Sequence, residues 1–493
     1  KSAMQVLFKV FCLGFLCSLI SIGIHAQSLH SRKKIKKLIK HFVADTLPDE
    51  TSISFYLVDL STGQKIASYD ENRALVPASI QKIITSSFIL KETSFDFKYR
   101  TPFFLQGIKD SGSIFQGNLV VIGKGDPSLG SEYLSDAYTI SQLADTIANR
   151  LLLQGINTFT GTIKLDEQFI SDIPENKEWL WYDLGNYYGA GCYSINYLEN
   201  EAKISLDASL INGGICEIRN IQPALFKHHY HSSVIGVQQP ALNEVYVLGT
   251  SQANIHAIKG QWKCCTKDTL VIRSALMQPA KTFGEALLSS LRIRGIRFLE
   301  SQGEHLDEKQ LLYEYASPSL NRLVQRAMLK SVNLYAESFL HTLGFIWNGS
   351  TNRQKALDTL NEKIKGILNC EADFILEDGS GLSPKNMISA FRMVQYLQWI
   401  NKQKELEKYW MLLPDNKKEG SLSKYLKILP KQKVELRLKS GSMERVRSYA
   451  GYLVKDNKPK YAISLIVNHY SCSGETMNRM IGNFVNDLMK TKL

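Results

Sequence analysis

Residues 77–92 read PASIQKIITSSFILKE, and the rest of the chain is best understood outward from them. The spacing predicts one helix over Pro77–Glu92. Pro77 lacks an N–H and suits a first helical turn, where that donor has no intrahelical partner. Ile80, Ile83, Ile84 and Phe88 recur at helical spacing and form an apolar face. Ser79 and Lys82, three residues apart, share another face. A serine hydroxyl needs a base to become a nucleophile. A lysine among apolar neighbours loses hydration, which disfavours its charged form and leaves an amine able to take a proton. The helix N-terminus adds N–H groups and positive dipole character around Ser79. The pair is equipped for serine acyl transfer.

Serine-x-x-lysine spacing alone carries little weight. It recurs at Ser31–Lys34, inside a basic run, and at Ser421–Lys424, in the polar stretch KKEGSLSKYL. An isolated instance is more simply a capping serine beside a solvated lysine. Two further elements give the Ser79 pair its context. Ser331-Val332-Asn333 lies in AMLKSVNLYAESFL, read as part of one helix over Ser319–Leu343. Ser331 is a candidate proton relay between Lys82 and a leaving amine. Asn333 offers an acceptor and two donors to a substrate amide. The same spacing occurs at Ser194–Asn196 and Ser319–Asn321, so this element is weak alone. Lys439-Ser440-Gly441 ends a strand expected over Glu435–Lys439. A strand edge can lay its backbone along an extended peptide, and Gly441 lets that peptide come close. Lys439 and the Ser440 hydroxyl can hold a terminal carboxylate.

The chain has 493 residues, an ordinary apolar content of 44% and a net charge of +12. That size fits two to four domains with a large buried core. A basic balance suits an anionic polymer such as nucleic acid or cell wall, or simply a solvated surface. No nucleic-acid motif accompanies it. Near the start, Lys1 and Lys9 flank an apolar run through Phe11, Leu13, Phe15, Leu16, Leu19 and Ile20, which ends at Gly23-Ile24-His25-Ala26. This pattern predicts a secretory signal peptide over residues 1–26, and hence export to the periplasm or cell envelope, with an uncleaved anchor as the alternative. Cys192, Cys216, Cys264, Cys265, Cys370 and Cys472 lie beyond it. Six cysteines allow 15 complete pairings, and their spacing selects none. No C-x-x-C pair occurs, and His228, His229 and His231 in KHHYHSS lack metal-ligand spacing. No metal or cofactor is expected.

Residues 28–45 read as an amphipathic helix with Leu38, Ile39 and Phe42 inward and lysines outward. That basic face leaves peripheral contact with an anionic membrane or envelope polymer open. Ile53, Phe55 and Leu57 alternate with small or polar residues, and Ser61-Thr62-Gly63 turns the chain into Lys65-Ile66-Ala67, a β-hairpin. From about 95 to 282, short strands dominate, such as Gly117–Ile122, Thr162–Leu165 and Glu244–Leu248, with a helix at Ser141–Leu153. This predicts a β-rich insertion between the halves of a discontinuous domain, 28–94 and 283–493. Helices return at Lys281–Arg294 and Met387–Lys402. Ala450–Val454 and Tyr461–Asn468 pair as a hairpin, and Met477, Ile481, Phe484, Val485 and Leu488 mark a closing helix. Strands at both ends with helices between predict an antiparallel sheet covered by helices, an α+β class.

S-x-x-K, then S-x-N, then K-[ST]-G, in that order and setting, resembles the triplet of penicillin-binding proteins and serine β-lactamases. The gap from Ser79 to Ser331 is more than twice that from Ser331 to Lys439. It resembles the class C low-molecular-mass penicillin-binding proteins of the penicillin-binding protein 4 type, the D-alanyl-D-alanine carboxypeptidase/endopeptidases, in which domains are inserted after the first helix. The resemblance continues through GDPSL at 125–129, WLWYD at 179–183, YGA at 188–190, SPSL at 317–320, NLYAE at 333–337 and DGSGLS at 378–383. Serine stands at 440 where threonine is commoner, and keeps the hydroxyl.

The resemblance implies a transpeptidase-like fold with a large β-rich insertion, and a serine D-Ala-D-Ala carboxypeptidase and endopeptidase acting on peptidoglycan stem peptides. β-Lactam antibiotics would be covalent inhibitors. Ser79 would attack the penultimate D-alanine carbonyl, Lys82 accept its proton and Ser331 serve the leaving amine. Asn333 and Lys439 would orient substrate. The N–H groups of Ser79 and Ser442 would form the oxyanion hole, with Ser440 and Gly441 beside the bound peptide. Asp183 and Tyr188 would line a pocket for the stem peptide's diamino acid; read from residues alone, Asp183 is a loop acid beside packing aromatics. Asp126 and Asp378 read as turn residues. A β-lactamase or esterase with the same triad, and a catalytically silent wall-binding scaffold, are the alternatives. The oligomeric state is not legible.

Overall fold

In a computed structural model, residues 33–240, 245–250, 253, 255–299, 308–370, 374–415 and 434–491 are described. The signal-peptide segment and the Ser421–Lys424 spacing lie outside them. The described residues fall into two compact units. One takes the described residues within Lys1–Ile80, Cys370–Phe374 and Met387–Leu493, the other those within Gln81–Asn369 and Ile375–Asn386.

The first unit is built on a five-stranded antiparallel sheet. Its strands are β1 (Ser52–Asp59), β2 (Lys65–Tyr69), β3 (Val434–Met443), β4 (Val446–Lys455) and β5 (Lys458–Asn468), in the order β3-β4-β5-β1-β2. The β1–β2 turn forms as the sequence suggests. Asp59 Oδ1 accepts from the Ser61 N–H at 2.8 Å, and Gly63 takes the left-handed conformation (φ 69°) that closes it. The expected alternation along β1 is only half right. Tyr56 and Val58 are buried as well as Phe55 and Leu57, because the sheet is covered on both faces. On one side, helix 33–41, the π-helical turn Phe42–Thr46 and the closing helix Gly474–Lys490 bury Ile35, Ile39, Phe42, Phe484 and Leu488 against Phe55, Leu57 and Leu465. The Phe42 and Phe484 rings stack at 4.5 Å. On the other, Ala390–Lys402 sets Phe391 edge-on to Tyr56 and accepts the Tyr452 hydroxyl on Leu397 O at 2.8 Å.

The second unit carries the helices Lys82–Glu92, Leu320–Lys330, Asn333–Asn348 and Arg353–Leu368, and three further sheets. A six-stranded sheet runs through Arg100–Lys109 and Ile114–Ile122. Helices Ile140–Leu153 and Pro279–Ile293 cover it, burying Leu119, Ile147, Phe159, Phe283 and Leu287. Two three-stranded sheets, one with Glu201–Asp207 and one with His256–Lys263, enclose a core of Ile204, Cys216, Val234 and Ile258. The cysteines at 192, 216, 264, 265, 370 and 472 are free.

Several element boundaries differ from the sequence reading. Pro77 precedes the helix. A 3-10 turn, Ala78–Gln81, comes first, and the α-helix begins at Lys82. The helix expected over Ser319–Leu343 is two helices, because Ser331 adopts a left-handed conformation (φ 57°) that ends the first and lets Asn333 begin the second. Met387–Ser389 is a short strand paired with Ala74–Leu75, and the helix starts at Ala390, capped by Ser389 Oγ. Strand β3 does not end at Lys439. It pairs with β4 through Gly441↔Ser448 to Met443↔Val446, so the whole Lys439–Ser442 segment is strand.

Candidate active site

In the first unit, Ser79 lies half-buried in the 3-10 turn. Lys439, Ser440, Gly441 and Ser442 line β3, and the hydrogen-bonded register settles which of them turn inward. Lys439 is 1% exposed and donates from Nζ to Ser440 O at 2.7 Å, whereas Ser442 is exposed. Gly441 is where strand and turn meet. A Cβ there would lie 2.6 Å from Pro77 O and 2.9 Å from the Ser79 nitrogen, and 2.2 Å from Ser448 Oγ. Ser448 Oγ in turn donates to Pro77 O. The glycine is therefore required by the chain's own serine-bearing segment, a closer constraint than the incoming peptide anticipated from sequence.

In the second unit, Lys82 is fully buried at the start of its helix. Its Nζ donates to Asn333 Oδ1 at 2.5 Å and to Ser380 O at 2.7 Å. The left-handed Ser331 is what turns Asn333 onto the helix start from which its amide reaches Lys82. The other end of that amide donates to Tyr188 O at 2.6 Å. Tyr188 also hydrogen-bonds Asp183 through its hydroxyl. Lys82, Asn333, Tyr188 and Asp183 thus form one connected chain. Ser331 is half-buried two residues before Asn333.

The electrostatics of Lys82 follow from its burial. Removal from water pulls its pKa down to about 7, against the upward pull of Asp378 and then Glu337. A lysine so placed exchanges its proton near neutral pH, which a solvated lysine does not. Asp183 is pushed upward by burial, and the Tyr188 hydroxyl partly offsets this. Tyr188 is pushed well upward by burial and by the charge of Asp183.

Two acids escaped the sequence reading. Asp378 is a turn residue, as expected, but a wholly buried one. Its carboxylate accepts from Gln81 Nε2, Trp179 Nε1, Asn386 Nδ2 and the N–H groups of Gly381, Leu382 and Ser383, at 2.7–3.0 Å. It ties the residue before Lys82 to the segment leading into Asp183. With a longer bond from Ser380 Oγ at 3.4 Å, these donors make the carboxylate the hub of its loop. Glu337 is also fully buried. Its position, one helical turn after Asn333, was the available signal. Asp126 is buried too, held by Ser128, with burial pushing its carboxyl up to about 6.

Among the described residues, no group of three or more His, Cys, Asp or Glu is placed to hold a metal ion. None of their helices is long and apolar enough to cross a membrane.

Comparison with known proteins gives a consistent result. The model of the D-Ala-D-Ala carboxypeptidase 3 (S13) family matches residues 35–487. The chain is 26% identical over 455 residues to D-alanyl-D-alanine carboxypeptidase DacB of Haemophilus influenzae, covering 86% of this chain and 87% of that protein. It is 26% identical over 438 residues to penicillin-sensitive carboxypeptidase A of Dictyostelium discoideum, covering 82% and 80%. The fold is similar to the crystal structure of penicillin binding protein 4 from H. influenzae. There the TM-score is 0.75 and the identity 24%, with 92% of this chain and 99% of that one covered.

Proposed function

The chain belongs to the D-Ala-D-Ala carboxypeptidase 3 (S13) family and is a serine hydrolase; from that premise we propose that it acylates itself on Ser79 with the penultimate D-alanine of peptidoglycan stem peptides. Release of the terminal D-alanine is the carboxypeptidase reaction. Release of a cross-linked diamino acid is the endopeptidase reaction on the same acyl-enzyme.

One observation carries this reading above the others. Three residues after Ser79, a fully buried lysine holds its amine against Asn333 Oδ1 and Ser380 O, with burial drawing its pKa to about 7. Lys82 is then the base. It takes the Ser79 hydroxyl proton as Oγ attacks the carbonyl carbon. The N–H groups of Ser79 and Ser442 receive the developing oxyanion. Ser331 passes a proton to the departing amine, so that the C–N bond breaks as a neutral amine leaves. Asn333 orients the substrate amide, and Lys439 with Ser440 receives the terminal carboxylate. Water then attacks the ester and restores Ser79. Gly441, packed against the Ser79 segment, supports a role for this part of β3 in the oxyanion site. The Asp183–Tyr188 pair supports a pocket for a basic side-chain end, since a half-buried acid gains most from an incoming ammonium.

We place the reaction outside the cytoplasmic membrane, on the strength of the signal-like run before Ala26. β-Lactams would occupy the same serine; a structure of the H. influenzae protein holds one. Intact-protein mass after incubation with benzylpenicillin, for residues 27–493 and for Ser79→Ala, tests the reading. The expected result is a persistent adduct on the unsubstituted protein alone. Drug loss without an adduct would mark a β-lactamase. No adduct and no drug loss would leave a wall-binding scaffold.

A further inference from the structure

Beneath Lys82 lies a loop held in place from three sides. Gly379 donates its N–H to Glu337 Oε1 at 3.0 Å, and its carbonyl accepts from Thr85 Oγ1 at 2.9 Å. A Cβ at Gly379 would fall 2.6 Å from Ala336 O, so the loop rests directly on the helix Asn333–Asn348. The next carbonyl, Ser380 O, is the one that holds Lys82 Nζ. Glu337 stands four residues beyond Asn333, the other partner of Lys82, on the same helix face. Its buried carboxyl also takes a hydrogen bond from the Ser380 side chain. Both contacts hold the loop whose carbonyl binds the lysine.

We propose that Glu337 is a positioning residue for the lysine base: it fixes the Gly379–Ser380 loop against Lys82, and its charge state sets how firmly Lys82 holds its proton. The groups facing Glu337 come from every element around it. Lys82 stands on its own helix and Asp378 on the loop, Arg353 on the neighbouring helix, and Cys192 on the segment opposite. Burial and then Asp378 push the Glu337 carboxyl up, to about 7, against Arg353, the Ser380 hydrogen bond and Lys82. Burial favours the neutral form of both groups while each charge favours the other's, so they titrate as a coupled pair. An ionised Glu337 strengthens the hold of Lys82 on its proton. A neutral side chain in its place weakens that hold, so the base is free at lower pH.

The inference rests on Lys82 as the base. Glu337→Gln keeps an oxygen for the Gly379 N–H and removes the charge. The rate of acylation by benzylpenicillin is measured from pH 5 to 9 for both proteins. The expected result is an acidic limb displaced to lower pH by about one unit, the scale of one nearby charge. A normalised profile superimposed on that of the unsubstituted protein would overturn the proposal, whatever the absolute rate. A second measurement reads the lysine directly. In protein labelled with nitrogen-15 at the lysine amines, the Lys82 resonance is expected to titrate at lower pH in Glu337→Gln than in the unsubstituted protein, and an unmoved titration would overturn the proposal. Lys82→Ala separates the two ideas: acylation at an unchanged rate in that variant removes the base reading. An unmoved Glu337→Gln profile with Lys82 essential removes only the role of Glu337.

Discussion

Gly441→Ala is the smallest change that would test how strand β3 and the nucleophile are fitted together. Gly441 is not in a left-handed conformation, so alanine meets no backbone strain there. The consequence is steric and local. The new methyl would sit 2.2 Å from Ser448 Oγ, 2.6 Å from Pro77 O and 2.9 Å from the Ser79 nitrogen. Real carbon contacts begin at roughly 3.5 Å, so all three atoms must retreat, and two of them are backbone. Ser448 Oγ can rotate away only by giving up its hydrogen bond to Pro77 O, at a net cost of about 1 kcal/mol. The backbone displacement adds the usual overpacking cost, about 1–3 kcal/mol. If the Ser79 N–H is an oxyanion donor, moving it off target costs about 10²–10³ in acylation rate. The prediction is thus a modest loss of thermal stability with a loss of acylation far out of proportion to it. Penicilloylation followed by intact mass, alongside thermal unfolding, measures both. Adding Ser448→Ala removes the nearest clash but neither backbone one, so it is not expected to restore the rate. Acylation within threefold of the unsubstituted protein would show that the Ser79 segment has room to move, and would refute the reasoning.

Asp378→Ala leaves seven donors facing an emptied space. At about 1–3 kcal/mol for each buried unpaired group, with partial relaxation, a loss of at least ~4 kcal/mol in chemical unfolding is expected; a loss under 1 would contradict the hub assignment. Arg326 and Glu199 form a buried two-pronged ion pair, with both bonds at 2.7 Å. Arg326→Met should cost about 3–5 kcal/mol by stranding the carboxylate, and Glu199→Gln in the same protein should recover part of it; additive losses would argue against coupling. Tyr188→Phe removes the hydroxyl from Asp183 but keeps the carbonyl that binds Asn333. Acylation by benzylpenicillin should hardly change, while the preference for diaminopimelate-containing over plain D-Ala-D-Ala peptides shifts, by competitive turnover. Asp183→Ala with an unaltered preference would remove the pocket role.

Much of the chemistry is written in local order. The Ser79–Lys82 spacing, the single Lys439-Ser440-Gly441 and the Asn333 that follows Ser331 are legible because each depends on the repeat of one helix or strand. The β1–β2 hairpin and the closing helix were legible for the same reason. What local order did not reveal is how each element is finished. The helix breaks at Ser331 and β3 continues past Lys439, because a tertiary partner, Asn333 for Lys82 and β4 for β3, rewards the change. Nor did it reveal the acids. Asp378 and Glu337 are ordinary polar residues in sequence. Their importance comes from partners brought in from Gln81, Trp179 and Gly379, far apart along the chain. The candidate residues of the proposed reaction were thus readable from sequence alone, whereas the proton affinity of Lys82 was decided by folding. An amine loses its charge through the removal of water and the placement of distant carboxylates, and neither exists until the chain has packed.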